Sequence, residues 1–306
     1  VSAITTAVVG SSPQPDWLVD QRRYRVNVVP RIRMPDLWRV PPDLLEEAQD
    51  AGVDFDRPGI AIGRLGKPTP VPRIVGPIVR ERAVFLRDAR FLRSVTERRI
   101  KIAVPGPFTL AQLAQDEYYK DDARLAMAYA ETVNAELREL EPLVDVLQLD
   151  EPDVEPRVER ARHYALPVID RALADITKPT CVHVCMGYAY SHALAGTTKA
   201  GGYVFAAELA RSAASQVSVE AAQPRLDVAT LAPLAAAKTV VLGVLDLGDP
   251  TPESAEVVAS RIREALRHLP RERLVAAPDC GMKYLERATA RQKLAPSSRA
   301  RSASTR

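Results

Sequence analysis

Short runs of β-branched and other apolar residues alternate along the chain with longer stretches that read as helix. A continuous apolar run suits a parallel strand covered on both faces, and the helical return suits the element that covers it. Strands are predicted over residues 4–9, 100–104, 144–149, 181–185, 216–220, 239–244 and 274–277. Helices are predicted over 108–116, 123–140, 156–176, 228–237 and 252–268. This alternation predicts an α/β protein built as a (β/α)8 TIM barrel, with seven of its strands identified.

The pattern breaks between residues 38 and 77. There P-P-D-L-L-E-E-A-Q begins as a helix and runs into a stretch rich in glycine and proline that reads as loop. Ala61 and Ile62, hemmed by Gly59 and Gly63, are too short a run to serve as the second barrel strand. The barrel is therefore expected to lack or distort its second β/α unit. Neighbouring strands would then face a gap, at about 1–3 kcal/mol for each buried unsatisfied backbone group. Residues 53–65 would have to improvise a strand, another chain would have to fill the gap, or the protein is a decayed copy that folds poorly. Residues 1–294 are read as one barrel domain, and the Ser/Arg-rich segment 295–306 as a disordered tail.

Composition narrows the setting. The 306 residues are 46% hydrophobic and 26% charged, enough for a full core. A formal charge of +3, with arginines scattered among acids as over residues 80–99, describes solvated helix faces and argues against nucleic acid as a partner. No apolar run reaches the roughly 18 residues that span a bilayer, so no membrane association is expected. The three cysteines, Cys181, Cys185 and Cys280, have no disulfide-framework spacing, which points to a reducing, cytoplasmic setting.

Three strand ends carry residues that bind soft metals. V-H-V-C sets His183 and Cys185 two apart, on one face of a strand; V-S-V-E supplies Glu220, and A-A-P-D-C-G supplies Cys280. Together they form a tetrahedral N, S, O, S set that suits zinc better than magnesium or copper(II). Taken alone, H-x-C equally describes a core histidine beside a small apolar cysteine. Strand ends, however, are where a barrel collects its active-site groups.

The ordered motifs V-V-G-S-S-P-Q-P, V-P-G-P-F-T-L, L-Q-L-D-E-P, V-H-V-C, V-S-V-E, G-V-L-D-L-G-D-P and A-P-D-C-G-M-K span nearly the whole chain. In these the chain resembles the catalytic barrel of the cobalamin-independent methionine synthase family, within the uroporphyrinogen decarboxylase/methionine synthase-like superfamily. The resemblance implies zinc held by His183, Cys185, Glu220 and Cys280. It implies Ser11 at the amino-acid end of a thiol substrate and Asp150, followed by Glu151, at the substrate ammonium. A folate-facing loop would correspond to P-G-P-F-T-L and the stretch beyond it, with Tyr118 and Tyr119.

The implied reaction is methyl transfer to a small thiol such as homocysteine. Zinc strips the thiol proton and holds the nucleophilic sulfur, while Glu220, the hardest ligand, is the one an incoming thiol displaces. Methyltetrahydrofolate as donor needs a proton at its leaving nitrogen. Folate-using relatives carry a histidine where this chain has Gly248, and Asp246 is the candidate acid, with Asp249 beside it. Methylcobalamin, delivered by a corrinoid protein, is the other donor. An alkyltransferase of the epoxyalkane/coenzyme M type and a decayed non-catalytic paralogue are the alternatives. No D-G-E-like acidic motif is found, and a deletion of about 30 residues, roughly one β/α unit, is read near residues 48–53.

Overall fold

The computed structural model describes residues 4–14, 51–64, 66–188, 192–193, 196–199 and 201–303, without the side chains of 51–53, 55–56 and 296–303. The helix predicted from P-P-D-L-L-E-E-A-Q lies outside the described residues. In chain order the strands are β1 (Thr5–Thr6), β2 (Ala51–Ile62), β3 (Pro68–Val79), β4 (Lys101–Pro105), β5 (Gln115–Asp116), β6 (Val146–Asp150), β7 (Thr180–Val184), β8 (Gln216–Val219), β9 (Thr239–Leu245) and β10 (Leu274–Pro278). The helices are α1 (Leu86–Val95), α2 (Pro107–Gln112), α3 (Asp122–Leu140), α4 (Val158–Ala172), α5 (Ala206–Leu209), α6 (Ala232–Ala237), α7 (Ala255–Ala265) and α8 (Arg287–Ala303). Each of the seven predicted strands is found, and the architecture is α/β and TIM-barrel-like. The chain divides into two compact units, residues 15–180 and residues 1–14 with 181–306.

In the unit that holds both ends of the chain, the strands lie in the order β1, β10, β9, β8, β7, all parallel. Strand β7 is buried at every position and β9 at every position after Thr239, as expected of strands covered on both faces. Helix α7 starts where the Ser254 side chain accepts from the Val257 N–H, and it buries Val258, Ala259, Ile262 and Ala265. Helix α8 packs against α7. Its Lys293 is fully buried and donates to the Thr251 carbonyl at 2.7 Å and to Glu253 Oε2 at 2.9 Å. This helix continues to Ala303, through most of the segment read as a disordered tail. Ala295, Arg299, Ala300, Arg301 and Ala303 favour helix there, against Pro296 and the serines.

In the other unit, β4 and β6 pair in parallel. Helix α3, capped by the Asp121 side chain on the Ala123 and Arg124 N–H groups, packs against α4. The stretch read as loop is instead a long antiparallel pair, β2 with β3, to which the short β5 adds. The physical reason lies in alternation: Thr69, Val71, Ile74 and Ile78 turn inward, while Pro68, Pro70 and Pro77 sit on the exposed side of β3. Proline costs a strand most where a neighbouring strand needs its missing N–H, and β5 pairs Arg73 and Ile74 and not Pro68, Pro70 or Pro77, so the glycine and proline count misled the reading. Register shifts between Ala51 and Val53 and between Asp54 and Gly59 absorb the irregularity. Among the described residues no helix is long and apolar enough to cross a membrane.

Candidate metal centre

Parallel pairing of β7 with β8 sets His183 opposite Ser218, and the ring Nδ1 lies 3.0 Å from Ser218 Oγ. That contact fixes the ring and makes Nε2 the nitrogen suited to a metal. Cys185 follows two residues later at the end of β7, and Cys280 lies just past the end of β10. Ligand atoms of His183, Cys185 and Cys280 all lie within 4.8 Å of one another, and all three residues are buried. The Cys280 thiol is held well above its ordinary pKa, first by its hydrogen bond with Cys185, then by burial and by the charges of Cys185 and Glu220. Two thiols this close resist losing both protons unless a cation enters between them. An imidazole and two sulfurs converging in a dry site therefore fit zinc on the chemistry of the donors alone.

Glu220, immediately after β8, is fully buried but is not part of that cluster. Its Oε1 is paired with the Lys199 ammonium, and its Oε2 accepts from the Met186 N–H at 3.0 Å. Its own N–H donates to Tyr203 Oη at 2.8 Å. Burial pushes the Glu220 carboxyl up to about 8, helped by the charge of Cys185 and opposed by Lys199. Burial also works against the Lys199 ammonium, but the charges of Glu220, Cys280 and Cys185 outweigh it and hold its pKa above the ordinary value.

Asp279 sets the geometry of both strand ends. Its Oδ1 accepts from the Ala221 and Ala222 N–H groups at 3.0 and 2.9 Å, and its Oδ2 from the Gln223 N–H at 2.7 Å. The turn after Glu220 is thereby tied to the residue before Cys280. Ser11 lies against the same loop: its carbonyl accepts from the Met282 N–H at 2.8 Å, and its side of the turn is exposed. A Cβ on Gly10 would stand 3.3 Å from the Gly281 Cα, so two glycines let these segments touch.

The remaining sequence candidates have other partners. Asp150 Oδ1 accepts from Gln148 Nε2 at 2.7 Å. Glu151 is fully buried; its carboxylate accepts from the Phe108 N–H at 2.9 Å, the Thr109 N–H at 2.8 Å and Thr109 Oγ1 at 2.6 Å, which anchors α2. Asp246 Oδ1 accepts from the Gly248 N–H at 2.7 Å and closes the D-L-G turn, while Asp249 does the same for Thr251 at 2.8 Å. Tyr119 Oη accepts from the Ile78 N–H at 3.0 Å, and Tyr118 is half exposed. Sequence reasoning missed Lys199, Tyr203 and Asp279. Asp279 stands inside the P-D-C-G motif and was within reach; K-A-G-G-Y carries no spacing that betrays two groups converging on Glu220.

Two curated relatives are methionine synthases: that of Thermococcus kodakarensis, 29% identical over 95% of this chain and 90% of its own length, and that of Sulfolobus acidocaldarius, 25% identical over 96% and 90%. A solved B12-independent methionine synthase from Shewanella sp. W3-18-1, in complex with selenomethionine, superposes with a TM-score of 0.81 at 25% identity, covering 99% of this chain and 98% of that one. Residues 51–302 match the family described as the cobalamin-independent synthase catalytic domain, and the chain belongs to that family.

Proposed function

We propose that this chain is a zinc-dependent methyltransferase that moves a methyl group to the sulfur of homocysteine, with His183, Cys185, Cys280 and Glu220 as the metal ligands. The convergence of His183, Cys185 and Cys280 from two strand ends carries the reading. The methionine synthase names of relatives aligned along almost the whole chain support the choice of acceptor.

Zinc, when bound, supplies the charge that keeps the substrate sulfur as a thiolate at neutral pH. The chain's own residues do the rest. Ser218 orients the His183 ring, and Asp279 holds the turns that carry Glu220 and Cys280. Ser11 holds the amino-acid end of the thiol substrate. Glu151 keeps the segment beside Asp150 rigid by anchoring the start of α2. During transfer the S–CH3 bond forms as the bond from methyl to donor breaks. With methyltetrahydrofolate the released nitrogen needs a proton, for which Asp246 is the candidate donor.

The test is transfer of labelled methyl to homocysteine from methyltetrahydrofolate and, separately, from methylcobalamin, with Cys280→Ser as control. Labelled methionine from either donor, lost in the control, supports the reading and identifies the donor. No labelled methionine from zinc-loaded protein with either donor overturns it.

A further inference from the structure

Lys199 is a buried cation that the transfer reaction does not use, and it holds the one proposed ligand standing apart from the others. Three proposed ligands gather within 4.8 Å, whereas Glu220 has both oxygens engaged, one by Lys199 and one by the Met186 N–H. Met186 directly follows Cys185, so this position of the carboxylate is right beside the metal ligands. The Lys199 side chain is 3% exposed and that of Glu220 0%. Ions so buried are retained only with a partner, because an uncompensated buried charge is strongly destabilising.

Ligand exchange makes such a partner necessary. If a thiolate takes the place of Glu220 on zinc, the carboxylate must go somewhere that water does not reach. Two cysteine thiolates and one further anion around a dication sum to minus one, and a second further anion would take the shell to minus two. Releasing Glu220 to an ammonium keeps the shell at minus one and neutralises the carboxylate it lets go.

We infer that Lys199 receives Glu220 when the substrate sulfur enters the metal shell, so that the conformation seen here is the carboxylate's off-metal position. The inference rests on the reading of Glu220 as the exchangeable fourth ligand. Lys199 is a positioning residue, acting on the sulfur only through Glu220. Its loss therefore weakens thiol binding while leaving zinc affinity in the thiol-free protein intact or improved, because the ammonium no longer competes for the carboxylate.

The experiment compares wild type with Lys199→Met and Lys199→Arg. Zinc affinity is read by competition with a chromophoric chelator, homocysteine affinity by calorimetry on the zinc-loaded proteins, and the sulfur count at zinc by X-ray absorption. In wild type, homocysteine is expected to add one sulfur at zinc and remove one light ligand. Lys199→Met should bind homocysteine about tenfold more weakly or worse at undiminished zinc affinity, and Lys199→Arg should recover most of that loss. Lys199→Gln repeats the measurement should the methionine variant fail to fold. Homocysteine affinity unchanged in the uncharged variant, or zinc and homocysteine affinities falling by the same factor, would overturn the role of Lys199. A wild-type protein that binds no zinc, or gains no sulfur with homocysteine, instead removes the reading of Glu220 and the inference with it.

Discussion

A Cβ built on Gly243 would stand 2.0 Å from Asp279 Oδ1 and 2.7 Å from the Asp279 Cα, so a bare backbone on β9 is what gives the carboxylate before Cys280 its room. The backbone of Asp279 is tied down as well, its N–H donating to the Leu245 carbonyl at 3.2 Å. Gly243→Ala is therefore expected to destabilise the protein by about 1–3 kcal/mol, as overpacking of a core does. Urea unfolding checks this, and a variant as stable as wild type would contradict the packing described.

Removing the carboxylate tests the same junction from the other side. Asp279→Ala leaves the Ala221, Ala222 and Gln223 N–H groups without their acceptor, and the expected loss is about 3 kcal/mol or more. Asp279→Asn, which retains one carbonyl oxygen, should lose less. Thermal melts of the two variants order them, and equal melting temperatures for Ala and wild type would refute the tie.

Glu151 makes stability depend on pH. Burial pushes its carboxyl from the usual 4.5 up to about 8, against the opposing hydrogen bonds from Thr109 and Phe108. Between those values the folded state holds a proton that the unfolded state has lost, so folding stability decreases as pH rises across this window. The contribution is fully present below about pH 4.5 and is lost by the time pH has passed through about 8. Denaturant unfolding at pH 5, 6, 7 and 8 should show the advantage of wild type over Glu151→Gln shrinking with pH. A constant difference would show that the group does not titrate in this range.

Lys293 pins the last helix. Its ammonium is fully buried between the Thr251 carbonyl and Glu253 Oε2, and Glu253 Oε1 in turn accepts from the Asp246 N–H at 2.6 Å. Lys293→Met leaves Glu253 short of a charged partner, and a loss of about 3–5 kcal/mol is expected, as for breaking one side of a buried pair. Arg261 still reaches Glu253 Oε1 at 3.1 Å and should hold the loss toward the lower figure. Hydrogen exchange across 287–303 is the direct readout; protection equal to wild type would mean that the helix is docked by other contacts.

On the proposed zinc reading, Cys280→Ser replaces a soft anionic ligand by a hydroxyl that stays protonated. The variant is expected to lose most of its bound zinc under competition with a chelator, while its secondary structure, read by circular dichroism, is retained. Zinc retained at wild-type affinity would exclude Cys280 from the shell.

Sequence alone settled the parallel strands, because residues such as T-V-V-L-G-V-L can be buried on both faces only in a sheet covered on both sides, and this constraint is local to each run. It also brought out His183, Cys185 and Cys280, since two-residue spacing and strand-end position are written in the chain. The β2 and β3 pair was partly legible in the inward Thr69, Val71, Ile74 and Ile78 but was obscured by a change of phase between Val71 and Ile74 and by proline, whose cost depends on whether its missing N–H meets a partner strand. Only tertiary structure decided what the acids do. Asp150, Glu151, Glu220, Asp246 and Asp279 are all strand-end carboxyls in the sequence, and nothing local separates a ligand from a cap. Burial and the partner brought from another segment separate them: Glu151 anchors a helix, Asp279 ties two turns, and Glu220 meets Lys199, more than twenty residues away along the chain. A charge in a dry interior is defined by the group that neutralises it, and that pairing exists only once the chain has folded.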